Sequence, residues 1–154
     1  MVKLLGEYDC KLDAKGRFLF PAGMKKQLGA DVDLGFVVNG DMHEDCMVVY
    51  PQKVWEGVSS KVLKLNRFVK KNAMFIRRFM NGATVVSLDS AGRIQLPKAL
   101  VARLLDGKEV KVVGTGDRVE IWSKEVFDKV MAEELDYSTL SEEVMGDISF
   151  DDEG

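Results

Sequence analysis

The segment "LDAKGRFLFP" at residues 12–21 returns at residues 88–97 as "LDSAGRIQLP". Aligning residues 12–28 with residues 88–104 gives six identities in 17 positions. Average amino-acid usage would give about one identity over that length. The shared residues are Leu, Asp, Gly, Arg, Pro and a second Leu. The sequence therefore predicts an internal duplication.

The similarity between the two halves continues beyond the repeated segment. The stretch "VVYPQKVWEGV" (48–58) has the same plan as "VEIWSKEVFDKV" (119–130). Each reads as a short strand with an aromatic residue near its end, followed by a helix with a second aromatic residue five positions later. The aromatic residues are Tyr50 and Trp55 in the first half, and Trp122 and Phe127 in the second.

The first half is predicted to fold as strand, turn, strand and short helix. Apolar and polar residues alternate in "EYDCKLD", which is the period of a half-buried strand. Asp13 suits the first position of a turn because its carboxylate can accept a backbone N–H two residues on. Gly16 tolerates a positive φ and can close that turn. The strand "RFLF" then ends at Pro21, which suits the first position of a helix.

The second half is predicted to repeat this plan with "TVVSLD", a turn, "RIQLP" and a helix that ends before Gly107. A hairpin follows the short helix in each half, with a long polar tip in the first half and a tight Gly-rich turn in the second. Ser123 is a plausible N-cap for a final helix that extends to about Leu135. The fold class is predicted to be mainly β with short helices.

A basic segment separates the two halves of the chain. Between Lys61 and Met80 there are seven basic residues and no acidic one. Apolar residues at helical spacing predict an amphipathic connecting helix there, whose charges either lie on a solvated face or contact phosphate. The predicted segments are a first half (1–60), the basic connecting helix (61–82), a second half (83–135) and a disordered acidic tail (136–154).

Acidic residues are concentrated at the C-terminal end. Residues 131–154 contain nine acidic side chains and no Lys or Arg, whereas the other 130 residues carry 22 basic and 16 acidic side chains. A basic body with an acidic tail is one way to bind a polyanion, although a solvated and partly disordered tail explains the same composition.

The bulk composition indicates a cytoplasmic protein without disulfides. The chain has 154 residues, 46% of them apolar, which is enough for one core or two small fused cores. No apolar run approaches the roughly 18 residues of a membrane span, so no membrane partner is expected. Cys10 and Cys46 fall outside any CxxC spacing, and a reducing compartment fits them.

Several ordered blocks of this sequence resemble the bacterial MraZ family of paired SpoVT/AbrB-like modules. The blocks are the two DxxGR segments, "GEY" before the first, "RRFMNGA" before the second, and "GTGDRVEIW" near the end. The resemblance covers roughly residues 4 to 130. It implies an internally duplicated AbrB-like barrel of the swapped-hairpin, double-psi-like type, with pseudo-twofold symmetry and both turns on one exposed rim.

The resemblance also implies a function. MraZ proteins regulate the division and cell-wall gene cluster by binding short repeats in its promoter DNA, and they assemble into rings, for which an octamer is one expected size. We therefore expect a sequence-specific transcription regulator that is nucleoid-associated, forms a homo-oligomer, binds double-stranded promoter DNA and uses no cofactor.

The chemistry of the repeated turns also points to nucleic acid. An Arg beside a permissive Gly can bring a planar guanidinium close to a groove, where it can bind phosphate or the O6 and N7 atoms of guanine. An Asp in the same turn is expected to position the Arg, because a carboxylate would repel phosphate. The alternative for each Arg is an ordinary surface ion pair with its Asp.

These considerations assign the expected site residues. The predicted DNA contacts are Lys15, Arg17 and Arg93; the loop supports are Asp13, Gly16, Asp89 and Gly92; further phosphate contacts are Arg77 and Arg78. The second turn carries Ala91 where the first carries Lys15. The two turns are therefore expected to contribute unequally to the positive charge.

Two other functions are alternatives to this assignment. An enzyme with an Asp dyad is disfavoured because each Arg would keep its Asp ionised, and because His43 lies in a polar hairpin tip where a solvated loop is the simpler explanation. Neither a catalytic residue nor a metal site is expected. The alternative to DNA binding is an interaction scaffold whose basic surface meets an acidic partner or the protein's own tail.

Overall fold

The computed structural model describes residues 3–133 and 136–148. The two halves of the chain have the same order of strands and α-helices. The first half contains β1 (Glu7–Lys11), β2 (Arg17–Leu19), α1 (Ala22–Leu28), a 3-10 helix (Gly29–Leu34), β3 (Phe36–Gly40), β4 (Met47–Pro51) and α2 (Gln52–Leu63). After α3 (Lys70–Met80), the second half contains β5 (Thr84–Val86), β6 (Arg93–Gln95), α4 (Lys98–Leu104), β7 (Glu109–Gly114), β8 (Val119–Ser123) and α5 (Lys124–Glu133), which α6 (Tyr137–Met145) follows.

The strands form a six-stranded antiparallel sheet and a separate two-stranded ribbon. The order in the large sheet is β1-β7-β8-β4-β3-β5, and the ribbon pairs β2 with β6. Exchanging each strand with its counterpart in the other half reverses this order and leaves every pairing unchanged. Strand β1 pairs with β7 and β5 pairs with β3, so each half supplies an edge strand to the other. The predicted duplication and the mainly β architecture with short helices are confirmed.

The pseudo-twofold axis passes through the middle of the ribbon. Phe18 faces Ile94 directly across β2 and β6. These two residues occupy equivalent positions in the repeated segment, and we call them the axial pair. Both are buried, with 2% and 0% exposure, and belong to the main core together with inward residues of the large sheet. The ribbon and the large sheet therefore enclose one core that both halves build.

A smaller core lies on the outside of the sheet, where α2 and α3 pack. Trp55 of α2 stacks on Phe79 of α3, with ring centroids 5.8 Å apart and planes 5° from parallel. Tyr50 of β4 lies against the same Trp55 at 5.3 Å. The second half contains the equivalent contact between Trp122 and Phe127 at 5.8 Å. The aromatic residues that repeat in the sequence thus attach a helix to the sheet in each half.

The basic connecting helix is shorter than the predicted range 61–82. Helix α2 continues to Leu63, and α3 begins only at Lys70. Asn66 causes the break, because its side-chain oxygen accepts the backbone N–H of Phe68 at 3.0 Å and its carbonyl accepts that of Val69 at 3.2 Å. A turn made by an Asn side chain competes with helical hydrogen bonding.

The acidic tail contains a helix where disorder was predicted. Helix α5 ends at Glu133, and the predicted end at Leu135 lies outside the described residues. Asp136 caps α6 by accepting the backbone N–H of Thr139 at 3.1 Å. An N-cap of this type stabilises a helix by about 1 kcal/mol. Residues 149–154 of the predicted tail lie outside the described residues.

None of the helices that the structure describes is long and apolar enough to cross a membrane.

The axial pair gives a test of the shared core. Phe18→Ala should lower the free energy of unfolding by about 3 to 5 kcal/mol, because it leaves a cavity that both halves line. Leu19→Ala is the matched control on the same strand, since Leu19 is 64% exposed, and it should change stability by no more than about 0.5 kcal/mol. Urea unfolding followed by tryptophan fluorescence, at one protein concentration, measures both. Equal losses would contradict this packing.

Candidate nucleic-acid interface

The first repeated turn is held by one carboxylate. Oδ1 of Asp13 accepts the backbone N–H groups of Lys15 and Arg17, both at 2.9 Å. Its Oδ2 accepts the side-chain Nε–H of Arg17 at 2.8 Å. The backbone of Gly16, with φ of 77°, donates to the Asp13 carbonyl at 3.0 Å. Asp13 therefore fixes both the turn and the direction in which the Arg side chain leaves it.

The second turn repeats this geometry. Oδ1 of Asp89 accepts the backbone N–H groups of Ala91 and Arg93 at 3.0 and 2.9 Å, and Oδ2 accepts Nε–H of Arg93 at 3.0 Å. Gly92 has φ of 82° and donates to the Asp89 carbonyl at 2.9 Å. A side chain at either glycine would strain the backbone. The two turns are structurally equivalent although their sequences differ at two positions.

Hydrogen bonds keep both aspartates ionised. The Arg17 backbone N–H contributes most to lowering the pKa of Asp13 below its ordinary value, and the Arg17 side chain and the Lys15 N–H add to it. The Arg93 backbone N–H is likewise the main cause of the lowered pKa of Asp89. Hydrogen bonds to the charged form favour that form. Each turn therefore contains a permanent carboxylate–guanidinium pair at neutral pH.

The ion pairs occupy only part of each guanidinium. In residues 3–133 and 136–148, the aspartates take the Nε–H of Arg17 and Arg93, and the terminal Nη groups of both make no hydrogen bond. The Arg side chains are 25% and 38% exposed. The surface ion pair considered as an alternative thus exists, and it leaves the forked end of each Arg available to an acceptor.

Both arginines lie on one outward face of the ribbon. Arg17 is opposite Gln95 and Leu19 is opposite Arg93, on either side of the axial pair. Residues that face each other across strands, and residues two apart along a strand, point to the same side of a sheet. Since the axial pair points into the core, these four residues point outward. We call them the ribbon face: Arg17, Leu19, Arg93 and Gln95.

Gln95 of the ribbon face and Lys25 of α1 each contact the turn of the other half of the chain. The amide of Gln95 donates to the Lys15 carbonyl at 2.6 Å, which ties the first turn to the other half of the chain. Beside the second turn, a β-carbon placed on Gly92 would lie 3.3 Å from Nζ of Lys25. Lys25 of α1 therefore brings a positive charge to the turn that carries Ala91. The unequal charge expected of the two turns is reduced by this contact.

Sequence reasoning missed Lys25 and Gln95. The contact of Lys25 with the second turn, like that of Gln95 with the first, joins residues from different halves. No spacing within either half could indicate it. The signal lies only in the exchange of elements between halves, which places α1 beside the turn of the other repeat.

Comparison with known proteins agrees with this duplicated architecture. The family described as "MraZ protein, putative antitoxin-like" matches the chain twice, at residues 4–78 and 79–147. Proteins named "Transcriptional regulator MraZ" match along nearly the whole length. The one from Flavobacterium psychrophilum is 38% identical over 155 residues, covering 100% of this chain and 99% of that protein. The one from Christiangramia forsetii is 40% identical over 152 residues, covering 98% of each.

The chain belongs to the MraZ family. The family predicted from the sequence is thereby confirmed. Its relatives are named as transcription regulators, so this member is a transcription regulator. The boundary between the two matched regions, at residues 78 and 79, falls inside α3. The connecting helix thus lies where the two family modules meet.

In this MraZ protein the acidic side chains of the turns are poorly suited to acid–base chemistry. A carboxylate dyad needs one proton shared between two close carboxyl groups. Asp13 and Asp89 sit in separate turns at opposite ends of the ribbon, each paired with an Arg, and both have lowered pKa values. These two aspartates act as positioning groups for the arginines.

The polar hairpin tip holds His43 in a loop. Oδ2 of Asp41 accepts the backbone N–H groups of His43 and Glu44 at 2.9 and 3.0 Å. The close group of possible ligand atoms in the described residues joins Asp41 with Cys46 and Glu120, and His43 is not in it. Burial, followed by the charge of Glu120, raises the pKa of the Cys46 thiol far above its ordinary value. Cys46 therefore packs as a neutral thiol.

Arg77 and Arg78 are exposed on α3. Arg78 lines a groove of about 590 Å³ together with Arg103 of α4, Asn39 and Phe75. Their expected role as further phosphate contacts stays a prediction.

The lowered pKa values predict a pH-dependent contribution of the two aspartates. A carboxylate with a lowered folded-state pKa stabilises the fold above its unfolded pKa, and this contribution is lost as the pH falls through the folded value. Asp13→Asn plus Asp89→Asn should therefore lower the midpoint of thermal unfolding at pH 7. The difference from the unsubstituted protein should shrink steadily below about pH 4, the ordinary range of Asp.

Thermal unfolding followed by circular dichroism between pH 7 and pH 2 checks this dependence. Asp33→Asn is the matched control, because Asp33 is exposed in the 3-10 helix, and it should leave the midpoint unchanged. A difference of the same size at both ends of the pH range would show that the substitutions act through shape and not through charge.

Proposed function

We propose that the chain regulates transcription by binding double-stranded promoter DNA sequence-specifically through the ribbon face, as a ring homo-oligomer. The observation that carries the proposal is that Arg17 and Arg93 lie on the same outward side of the ribbon, each held by its Asp. The target is the promoter of the division and cell-wall gene cluster that the family resemblance implies.

The spacing of the two arginines fits a DNA groove. Arg93 lies two residues along β6 from the partner of Arg17, so strand geometry places their Cα atoms about 8 to 9 Å apart. The major groove of B-DNA is about 12 Å wide and admits a two-stranded β-ribbon. Both guanidinium groups can therefore reach the same stretch of DNA from one ribbon.

The aspartates prepare the arginines for binding. Holding Nε fixes the plane of the guanidinium before DNA arrives, which reduces the side-chain entropy lost on binding. The terminal Nη groups can then bind phosphate oxygens, or the O6 and N7 atoms of guanine. Lys15 and Lys25 add a compact charge beside each turn, which suits phosphate. The arginines thus supply directional contacts to DNA, and the lysines add attraction to phosphate that does not depend on the DNA sequence.

Several subunits acting together would give the affinity that one ribbon lacks. Each phosphate contact adds about 0.9 to the slope of log affinity against log salt, so a few contacts hold DNA weakly at cellular ionic strength. Linking modules raises the overall affinity by about 10² to 10⁴ when the spacing of sites matches. A ring of ribbon faces would therefore favour short DNA repeats over isolated sites.

The central test removes both arginines from the ribbon face. Arg17→Ala plus Arg93→Ala should abolish the gel shift of a duplex that carries the promoter repeats, because each Arg is expected to contribute about tenfold to a hundredfold in affinity. The assembly state should not change. Arg118→Ala is the matched control, since Arg118 also pairs with a neighbouring Asp at 2.8 Å but lies outside the ribbon. A shift that survives the double substitution would reject the ribbon face as the contact site.

The lysines give a second test, based on salt dependence. Lys15→Ala and Lys25→Ala should each reduce the slope of log affinity against log salt by about 0.9 per bound subunit, and should weaken binding to specific and scrambled duplexes alike. Lys26→Ala, on the exposed side of α1, is the control and should leave the slope unchanged. If Lys25→Ala behaves like the control, Lys25 does not compensate for Ala91.

A further inference from the structure

We propose that α6 of one copy docks against the outward side of α3 in the next copy, and that this head-to-tail contact joins the subunits. The proposal rests on the ring assembly proposed above and names the segments that build it. The receiving surface, which we call the α3 face, consists of Lys71, Met74, Phe75 and Arg78, with Phe68 at its N-terminal end.

The α3 face has apolar side chains that are exposed in the part of the chain that the structure describes. Residues 71, 74, 75 and 78 follow one another at helical spacing of three and four, so they share one side of α3. Phe68 is fully exposed at 101%, Met74 at 48% and Phe75 at 38%. The other side of α3 buries Ile76, and Phe79, one turn after Phe75, is buried in a stack with Trp55. An exposed apolar strip of this kind is typical of an interaction surface.

The positive charge of α3 favours a negatively charged partner. No acidic residue occurs between Gly57 and Leu88. The first turn of α3 contains Lys70 and Lys71, and Val69 at the N-cap provides no side-chain hydrogen bond. The N-terminus of a helix carries a partial positive charge that negative groups stabilise. Two lysines at this end are therefore unfavourable until carboxylates approach.

Helix α6 has the complementary properties. Tyr137, Leu140 and Val144 share one side of the helix at spacings of three and four, and Ile148 lies three residues beyond the last helical residue, Met145. Tyr137 is 83% exposed, Val144 64% and Ile148 54%. Tyr137 and Val144, left this open on one side of α6, form an apolar strip that the other described residues, 3–133 and 136–148, leave exposed.

The C-terminal end of α6 is as unfavourable as the N-terminal end of α3. Its last turn contains Glu142 and Glu143 and no basic residue. Negative side chains at this end are repelled by the partial negative charge of the helix C-terminus. An antiparallel arrangement places the acidic last turn of α6 at the end of α3 that carries Lys70 and Lys71, which favours both helix ends. Glu143, three residues after Leu140, lies on the side that faces the contact. Tyr137 then lies towards Arg77 and Arg78.

A second copy is the partner that these properties select. Among the ion pairs formed within residues 3–133 and 136–148, none involves α3 or α6. The lengths also match, because residues 71–78 extend over about 10 Å and the nine residues of α6 over about 13 Å. Each copy offers one α6 and one α3 face, and a contact between unlike surfaces closes into a ring when its rotation allows.

Charge exchange between the two surfaces tests the contact. The first variant carries Lys70→Glu plus Lys71→Glu, and the second carries Glu142→Lys plus Glu143→Lys. Each variant alone should lose all species larger than the monomer in analytical ultracentrifugation without DNA, because both surfaces of every copy then carry the same charge. An equimolar mixture should assemble again, since each variant now complements the other. Native mass spectrometry with one variant labelled with ¹⁵N should find equal numbers of both.

Three controls keep the result interpretable. Lys61→Glu plus Lys64→Glu makes the same change of charge outside the α3 face, and this variant should assemble like the unsubstituted chain. A chain that carries all four exchanged residues should also assemble. Phe68→Ser alters a fully exposed side chain, so the subunit should stay folded by circular dichroism while its assembly weakens at least tenfold.

The outcomes separate this proposal from its alternatives. Assembly of either single-surface variant alone would overturn it, and so would an equimolar mixture that stays monomeric. A four-residue variant that also stays monomeric would place α6 on another surface. DNA binding through the ribbon face is measured separately: the monomeric variants should still bind a single repeat weakly, and their binding should still depend on Arg17 and Arg93.

Discussion

Phe18 and Ile94 face each other across a ribbon of three residues per strand, and the rest of the molecule is arranged around them. Because they are equivalent residues of a duplicated segment, their pairing sets the pseudo-twofold axis and requires each half to lend an edge strand to the other. Their burial fixes which side of the ribbon faces the core. The same alternation then sends Arg17 and Arg93 outward together, so core packing and the proposed DNA contact are set by one pairing.

Two residues, an aspartate and a glycine, determine the geometry of each repeated turn. The aspartate takes two backbone N–H groups and the Nε–H of its arginine, so it stabilises the turn and orients the guanidinium with one side chain. Glycine with a positive φ allows the backbone to close without strain. The charge beside each turn comes from Lys15 in one and from Lys25 in the other. Geometry is therefore preserved between the halves even where the sequence is not.

Local patterns predicted most of the elements, and contacts between halves set the limit of prediction. The repeated segment was sufficient for the duplication, the turns and the strands around them, because Asp, Gly and Pro have strong local preferences. The range predicted for the connecting helix, 61–82, begins too early, because a turn made by the side chain of Asn66 separates α2 from α3. The acidic composition of residues 136–154 led to a prediction of disorder there. Asp136 nevertheless indicates a helix, because Asp is a preferred N-cap residue. The role of Lys25 needs the exchanged topology, which no local pattern contains.

A structure of the chain bound to a duplex with its promoter repeats is the decisive test of DNA binding by the ribbon face. Nη groups of Arg17 and Arg93 from the same subunit should lie within about 3.2 Å of phosphate or guanine acceptors in one groove. Both Nε atoms should still bind their aspartates. Duplex DNA bound along α3, with the ribbon face open to solvent, would contradict it.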